Sequence, residues 1–187
     1  MTPPQSPQHP ARLIVVTGPE SSGKSTLAQA LAEELDGLLV PEYPRGYLEA
    51  AGRKAIASDF AHFAATNEHL VAAARGTLAK RGTPAGYLIQ DTGIEVLRLW
   101  EEDKFGDNSE ALCGAFQRQR PDLYLLSRPD LPWEYDPLRE DPHRRDELFR
   151  KLRRIIEKQG CPVAEVSGFG ESRTKSALRA LRSILGK

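Results

Sequence analysis

The stretch 18-GPESSGKST-26 joins two segments of different pattern. The apolar run 13-LIVVT-17 before it is typical of a buried strand, and the run 27-LAQALAEEL-35 after it has the spacing of an amphipathic helix. The stretch itself fits G-x-x-x-x-G-K-S/T, a pattern that a chain of this length matches by chance about once in a hundred tries at ordinary glycine frequency. Its position between a strand and a helix makes chance a still weaker explanation.

The residue types in this stretch predict a P-loop that binds a nucleoside triphosphate. Gly18 and Gly23 allow positive φ, so that successive backbone amides point inward and form an anion site at a helix N-terminus. Lys24 can reach the β- and γ-phosphates, and the Ser25 hydroxyl can ligate Mg²⁺. We therefore expect ATP and Mg²⁺ as cofactors. The expected nucleotide-binding residues are Gly18, Glu20, Ser21, Ser22, Gly23, Lys24, Ser25 and Thr26.

Apolar runs suited to buried strands recur along the chain and alternate with segments of helical spacing. The runs are 13–17, 38–42, 87–91, 123–127 and 162–166, and the helical segments are 24–36, 44–52, 57–81, 94–118 with a break near 105–108, 142–159 and 171–185. This alternation predicts βαβ units with right-handed crossovers. The expected fold class is α/β, a P-loop NTPase with an open, mostly parallel five-stranded sheet flanked by helices.

The chain is expected to form one domain over residues 12–187, preceded by a proline-rich disordered tail at 1–11. Residues 128–142 contain four prolines and little periodicity, which predicts a lid-like loop at about 128–146.

Composition argues against several kinds of partner. Lysine plus arginine and aspartate plus glutamate each total 26, so no basic field indicates nucleic acid. No run of apolar residues is long enough to span a membrane. Cys113 and Cys161 lack a CxxC spacing and are expected to be free thiols in a reducing cytoplasm. The expected partner is a small-molecule substrate, and the oligomeric state is not predicted.

A P-loop needs a second anchor for its metal, normally an acid at the end of a neighbouring buried strand. The run 87-YLIQD-91 ends on Asp91, which is therefore the expected acid, acting on Mg²⁺ directly or through water. An alternative role for Asp91 is the N-cap of the helix that starts near Ile94, and the two roles are compatible.

A second acid, Glu42, closes the predicted strand 38–42. Ligands of such sheets collect beyond the carboxyl ends of the strands, so Glu42 is expected to face the P-loop and to accept a proton from an attacking hydroxyl. The choice between Glu42 and Asp91 as the base stays open. Arg45 either pairs with Glu42 or holds an anionic transition state, and the alternative is an ion pair that only shapes the loop.

The lid-like loop contributes two further candidates. Arg139 is expected to close over the γ-phosphate and neutralise charge during transfer. Arg144 and Arg145 are expected on a solvated helix face. Trp133 either stacks on a flat ring of the acceptor or anchors the loop to the body of the protein.

Taken together, four blocks resemble the ribosylnicotinamide kinase domain of the bifunctional NadR proteins and their stand-alone relatives. The blocks are GPESSGKST, 41-PEYPRGYLE-49, 91-DTGIEVLRLWEEDKFG-106 and 124-YLLSRPDLPWEYDPLRE-140, in that order. The resemblance covers about residues 12–158. It implies a P-loop kinase that transfers the γ-phosphate of ATP to the 5′-hydroxyl of nicotinamide riboside.

By this resemblance, Trp133, Asp136 and Arg139 belong to the closing loop, and the block with Glu42, Tyr43 and Arg45 belongs to the acceptor site. Lys24 and Ser25 are expected at the phosphates and Mg²⁺, and Asp91 at the metal or the acceptor. The relatives that also carry an adenylyltransferase domain have it ahead of the kinase, and the short tail here implies the stand-alone form.

Three positions depart from the pattern of the relatives. Gly93 stands where many of them have a second aspartate, so any role of that acid is vacant or moved. Pro44 and Pro137 replace other residues on the acceptor side.

Two alternatives to this function remain at the level of sequence. One is a kinase for another nucleoside or vitamin-like acceptor, since any flat ring could stack on Trp133. The other is a regulatory ATP-binding or ATPase module. A GTPase switch is disfavoured because the chain has no guanine-reading NKxD motif.

Overall fold

The structure, a computed structural model, describes residues 11–82, 86–136 and 141–186. Within these residues five strands form one sheet in the order β2-β3-β1-β4-β5. The strands are β1 Arg12–Thr17, β2 Leu38–Val40, β3 Tyr87–Asp91, β4 Leu123–Ser127 and β5 Val163–Val166. Every pairing in the sheet is parallel. The predicted α/β fold with an open, parallel, five-stranded sheet is confirmed.

Most of the helices lie in the connections between these strands, and the last one follows β5. Those in the described residues are α1 Lys24–Glu34, α2 Tyr43–Ala51, α3 Ala57–Lys80, α4 Ile94–Phe105, α5 Glu110–Arg118, α6 Arg145–Glu157 and α7 Glu171–Leu185. The predicted break near residues 105–108 is the boundary between α4 and α5. None of these helices combines the length and apolar character needed to cross a bilayer.

The central strand β1 separates two layers of core because its side chains alternate between the faces of the sheet. Ile14 and Val16 pack with α1 and α7 on one face. Leu13 and Val15 pack on the other face with residues of α3, α4 and α6. Burial on both faces explains why β1 reads as a continuous apolar run.

A third cluster of buried side chains lies beside the sheet, between α3, α4 and α5. Its members include Phe60, Phe63, Ile94, Leu97 and Phe116. This cluster forms a firm apolar wall next to the carboxyl end of β3, which is the side of the sheet where ligands are expected.

Three boundaries differ from the sequence prediction. Strand β2 ends at Val40, so Glu42 does not close a strand and is instead the N-cap residue of α2. Pro41 accounts for this because proline has no N–H to donate to the sheet. Helix α6 begins at Arg145 and not near residue 142. Ala11, assigned to the tail, is buried and accepts a hydrogen bond from Arg75 Nη1 (2.8 Å).

Candidate active site

The P-loop forms a tight turn between β1 and α1, and both of its motif glycines are required by geometry. Gly18 and Gly23 have φ of +152° and +72°, values that favour glycine. A Cβ on Gly18 would lie 2.7 Å from the Ser127 carbonyl oxygen, and one on Gly23 would lie 2.7 Å from Leu131 Cδ1. The backbone can therefore approach a ligand closely here, as the sequence predicted.

The polar side chains of the P-loop divide into an internal and an external set. Ser22 is buried and donates to the Pro19 carbonyl oxygen (2.8 Å), so its hydroxyl stabilises the loop itself. Lys24 Nζ donates to the same oxygen (2.8 Å). Ser25 and Thr26, at the start of α1, are exposed and line the adjacent cavity. A phosphate there would meet helix N-terminal amides, the hydroxyls and the Lys24 ammonium.

The first part of the lid-like loop lies directly on the P-loop. The Glu134 backbone N–H donates to Ser21 Oγ (2.9 Å), and Leu131 packs against Gly23. Arg145 Nη2 holds this part of the loop by donating to the carbonyl oxygens of Pro129 (2.6 Å) and Leu131 (2.7 Å). The expectation that Arg145 lies on a solvated face is therefore wrong, since the loop backbone needs its guanidinium as a donor.

The other two arginines predicted in or after the lid-like loop are Arg144 and Arg139. Arg144 donates two hydrogen bonds to the Asp103 carboxylate (2.6 and 3.0 Å) and so ties α6 to α4, which also contradicts a purely solvated position. Arg139 and Pro137 lie outside the described residues. The role assigned to Arg139 stays a prediction.

Glu42 lies at the centre of the candidate site. Burial raises the pKa of Glu42 above its ordinary value, the positive charge of Lys24 opposes this rise, and the negative charge of Asp91 adds to it. The side chain is thus close enough to both residues to feel their charges. A carboxylate with a raised pKa, next to the P-loop lysine, is suited to accept a proton from a substrate hydroxyl.

Arg45 shapes the loop and is also turned toward the cavity. Its Nη1 donates to Asp136 Oδ2 (2.7 Å), which joins α2 to the lid-like loop, and its Nε lies 3.7 Å from Glu42 Oε2. The predicted ion pair with Glu42 is therefore present but is longer than the pair with Asp136.

Asp91 ends β3 next to the strand that leads into the P-loop, with Val16 as its partner in the β1–β3 register. Thr92 follows with φ +66°, and Gly93 is the N-cap residue of α4. The alternative role of Asp91 as the N-cap is thus wrong. The position predicted for it, at the carboxyl end of a strand beside the P-loop, is the one observed. Its side chain is buried and, unlike Thr92, is not part of the cavity wall, so its role in holding Mg²⁺ stays a prediction.

Ser25 and Asp91 are suited to Mg²⁺ by the chemistry of their donors, a hydroxyl and a carboxylate oxygen. In the part of the chain that the structure describes, no group of three or more His, Cys, Asp or Glu residues could hold a metal alone. Sites of this kind hold Mg²⁺ through one or two protein ligands together with substrate phosphates.

One cavity of about 1040 Å³ is lined by the P-loop and by two further groups of residues, which we call its first and second lobes. The first lobe runs toward the start of α7 and is lined by Phe169, Glu171, Arg173, Thr174 and Lys175. The second lies between α2, α3 and α4 and is mainly apolar, with Leu48, Phe60, Phe63, Leu97 and Trp100 in its wall. The P-loop and Glu42 line the same cavity as both lobes, so a donor and an acceptor bound in it would share these residues.

The structure brings only some of the predicted acceptor residues to this cavity. Glu42 and Arg45 line it. Tyr43 is turned toward His62, with its hydroxyl 2.8 Å from Nε2. Trp133 is half-buried and, like Asp136, is not part of the cavity wall. The roles of Tyr43, Trp133 and Asp136 in acceptor binding stay predictions.

A protein-family model described as "AAA domain" matches residues 13–173. The chain belongs to the AAA domain family. No curated protein matches this AAA domain in sequence.

Several solved structures resemble this AAA domain. A NadR protein in complex with NAD and AMP-PNP is 22% identical with a TM-score of 0.74, and the match covers 96% of this chain and 51% of that chain. A NadR protein in complex with NR is 21% identical with a TM-score of 0.76, covering 96% and 52%. Thymidylate kinase from Ehrlichia chaffeensis is 17% identical with a TM-score of 0.64, covering 93% and 100%.

These matches confirm the structural resemblance to NadR proteins. They show that this AAA domain has a P-loop fold shared with a nucleotide kinase. The chain spans about half the length of the NadR chains that it matches.

Several cavity residues of this AAA domain were missed from the sequence. Phe169 is 77% exposed at the first lobe, although large apolar side chains are usually covered. The signal was available, because 167-SGFG-170 directly follows β5 at the carboxyl edge of the sheet, where ligands collect. Phe60, Phe63 and Trp100 gave no comparable signal, since their spacing on α3 and α4 equally fits a core.

Proposed function

We propose that this AAA domain is an ATP-dependent kinase that transfers the γ-phosphate to the 5′-hydroxyl of nicotinamide riboside, in the cytoplasm and as part of NAD salvage. The observation that carries the proposal is one cavity whose wall contains the P-loop, Glu42 and the residues of both lobes. A kinase for a small acceptor needs such an arrangement, because donor and acceptor must meet in line at the γ-phosphorus.

The first lobe fits the nucleoside part of ATP. Its wall includes the exposed ring of Phe169, which offers a flat apolar surface for the adenine base. Lys175, in the same wall, pairs with Glu171 (2.9 Å). Arg173 is buried and pairs with Asp130, so these cations hold the wall itself. A NadR structure of similar fold contains AMP-PNP, an ATP analogue, which supports ATP as the donor.

The second lobe fits an acceptor with a flat ring. Trp100 is half-buried and offers a surface on which a pyridine ring could pack, and the buried rings of Phe60 and Phe63 make the wall behind it apolar. Glu42 and Arg45 line the cavity between this lobe and the P-loop, and they provide groups for a ribose hydroxyl. A NadR protein of similar fold was solved with NR, which supports nicotinamide riboside as the acceptor.

In the proposed reaction the acceptor hydroxyl attacks the γ-phosphorus, the bond from that phosphorus to the β–γ bridging oxygen breaks, and ADP leaves. Glu42 accepts the proton of the hydroxyl. Lys24 and the amides of the P-loop hold the phosphates and offset the charge that develops on them. Ser25 and Asp91 would hold Mg²⁺, which supplies further charge neutralisation when it is bound. Because the transition state is loose, the hydroxyl need not be deprotonated in advance, and most of the rate comes from positioning.

The experiment that tests the proposal incubates the protein and MgATP with a panel of nucleosides and identifies products by mass. We expect nicotinamide mononucleotide from nicotinamide riboside, and no product with Lys24→Ala. ATP binding without phosphorylation of any acceptor would contradict the proposal and favour a regulatory ATP-binding module.

A second candidate is a kinase for another nucleoside or for a nucleotide. The observation in its favour is the match to thymidylate kinase, which covers nearly the whole of both chains. The apolar second lobe selects for a flat ring but not for a particular one. Thymidine and thymidylate therefore belong in the same panel, and phosphorylation of either in preference to nicotinamide riboside would decide for this candidate.

A further inference from the structure

The turn that follows β3 is held by side chains at three successive residues. Gln90 Nε2 donates to the Thr92 carbonyl oxygen (3.2 Å). The Gly93 N–H donates to Glu95 Oε1 (3.0 Å), and the Ile94 N–H donates to Gln119 Oε1 (2.9 Å). This turn begins directly after Asp91, and the Thr92 hydroxyl, on the cavity wall, donates to Asp91 Oδ1 (3.4 Å). The conformation of the turn therefore bears on where the Asp91 carboxylate lies.

Glu95 is the unexpected member of this set because it is 0% exposed. Its other oxygen, Oε2, accepts a hydrogen bond from Gln119 Nε2 (3.0 Å). Among the described residues it forms no ion pair. Burial raises the pKa of Glu95, and the neighbouring hydroxyl of Thr17 opposes the rise. Both oxygens of this carboxyl accept hydrogen bonds, but burying a carboxyl still costs more than burying an apolar side chain of similar size, so stability alone does not account for Glu95.

Gln119 completes the arrangement by using both ends of its amide. Its oxygen accepts from Ile94, and its nitrogen donates to Glu95 and to the Tyr124 hydroxyl (3.1 Å). Tyr124 in turn donates to Gln159 Oε1 (2.8 Å). Because the Gln119 oxygen accepts from the Ile94 N–H, its nitrogen must face position 95. The side chain at position 95 must therefore supply a hydrogen-bond acceptor.

Two features show that the turn is constrained and not relaxed. Thr92 has φ +66°, a conformation that a β-branched residue adopts only when its surroundings impose it. A Cβ on Gly93 would lie 2.4 Å from Glu95 Oε2 and 2.6 Å from Gln119 Nε2. The Glu95 carboxyl therefore occupies the space into which a side chain at position 93 would project.

We propose that Glu95, with Gln119, is a positioning residue that holds the turn 92–94 so that Asp91 presents its carboxylate to the metal-phosphate end of the cavity. The proposal rests on the proposed ATP site but not on the identity of the acceptor. In this role Glu95 contacts neither substrate nor metal. Its carboxyl fills the space that a side chain at position 93 would otherwise occupy.

The test exploits the opposite hydrogen-bonding needs of Glu95 and Gln119. Glu95→Gln places an amide N–H against either the Gly93 N–H or Gln119 Nε2, whichever way it turns. Gln119→Glu places two carboxyls together. In the double variant E95Q/Q119E, the new amide at position 95 donates to the new carboxylate at position 119, and each of the two backbone N–H groups keeps an acceptor. The Tyr124 hydroxyl must then donate to position 119, so its hydrogen bond to Gln159 is lost.

The measured quantity is the ratio of AMP-PNP dissociation constants without and with Mg²⁺, determined by calorimetry. We expect Mg²⁺ to tighten binding to the wild type and to lose most of this effect in Asp91→Asn. Each single variant should reduce the Mg²⁺-dependent tightening by about tenfold, the lower end of the range for groups that orient metal ligands, because Glu95 and Gln119 act through the turn and do not contact Asp91 directly. The double variant should recover most of it.

Asp59→Asn is the matched control, since it alters another buried acid, one that pairs with Arg53 (2.6 Å) away from the cavity. It should lower the melting temperature and leave the Mg²⁺ ratio unchanged. Unchanged ratios in both single variants, a failure of the double variant to recover, or an equal loss with and without Mg²⁺ would overturn the proposal. A wild type that does not bind AMP-PNP overturns it together with the proposed function. A normal Mg²⁺ response without phosphorylation of nicotinamide riboside leaves it standing and removes only the proposed acceptor.

Discussion

The two ends of the cavity are built in different ways. At the donor end, backbone geometry does most of the work, because the P-loop follows the fully buried part of β1 and its glycines leave no space for a Cβ. At the acceptor end, α2 has no buried residue, and its Arg45 is held by partly exposed ion pairs. The proposed acceptor site therefore combines a buried wall of α3 and α4 with exposed α2 side chains that can adjust, whereas the proposed donor site depends on backbone geometry.

This difference explains why a phosphate site is recognisable at low sequence identity and an acceptor site is not. A backbone anion site requires glycines at fixed positions, which survive in the sequence as a pattern. An apolar lobe requires only side chains of suitable size, and many combinations supply them. Changes at the donor end should accordingly abolish activity for every acceptor, and changes at the acceptor end should alter which acceptor is preferred.

The largest effect is expected from Lys24→Ala. The variant loses the one side-chain cation of the P-loop, and we expect kcat/KM to fall by about 10³-fold for every acceptor, because a preorganised charge next to the transferring phosphoryl group is removed. Steady-state kinetics with at least two acceptors check this. Lys80→Ala, at the exposed end of α3, is the matched control and should behave like the wild type. An effect confined to one acceptor would break the distinction between the two ends.

A smaller loss is expected from Glu42→Gln. We expect kcat to fall by about 10²-fold, the usual contribution of a general base, with KM for ATP nearly unchanged. Glu49→Gln is the control, since Glu49 also lies near Arg45 but is 60% exposed. If Glu42→Gln retains the wild-type kcat, the base is Asp91 or none is needed.

The pH dependence of the reaction sharpens this assignment. Burial raises the pKa of Glu42 above its ordinary value of 4.5. A protonated Glu42 cannot accept a proton, so kcat should fall as the pH is lowered through this raised pKa, by about tenfold per pH unit below it. Rates of wild type and Glu42→Gln from about pH 5 to about pH 8 test this, since the variant should lack the acid limb. The same limb in both proteins would assign it to another group.

The fold and the P-loop could be predicted from the sequence because each depends on short, contiguous patterns of residues. The apolar runs set the strands, and the alternation with helices set the parallel sheet. The strand containing Asp91 was placed correctly for the same reason. Glu42 was predicted to close β2 and to face the P-loop. It lines the same cavity as the P-loop, but β2 ends at Val40 because of Pro41, and Glu42 is the N-cap residue of α2.

The acceptor end could not be predicted in the same way because its contacts are distant in the chain. Arg45 and Asp136 meet across 91 positions, and no spacing rule connects them. In the sequence, nothing distinguishes Glu95 from other acidic residues in the first turn of a helix. Its burial depends on tertiary packing, in which Gln119 at the end of α5 contacts its carboxyl. Long-range pairing of this kind requires the fold to be known first.

A moderate effect is expected from Phe169→Ala, which removes the exposed ring at the first lobe. Loss of one stacking surface is worth about 1 kcal/mol, so KM for ATP should rise about fivefold while kcat stays the same. Tyr135→Ala is the control, because Tyr135 is 85% exposed and is not part of the cavity wall. An unchanged KM would mean that the base binds elsewhere in the cavity.

The smallest effect is expected from Asp136→Ala, and it tests whether Arg45 shapes the acceptor end or takes part in transfer. The Arg45–Asp136 pair is partly exposed, with side chains 38% and 21% accessible, so its loss should lower the free energy of unfolding by less than about 1 kcal/mol. If Arg45 only joins α2 to the loop, Arg45→Ala and Asp136→Ala should raise the acceptor KM by similar small factors, and the double variant should add nothing. If Arg45 holds the transferring phosphoryl group, Arg45→Ala should lower kcat far more than Asp136→Ala does. A loss as large as that of Lys24→Ala would place Arg45 in the donor machinery and remove the division between the two ends of the cavity.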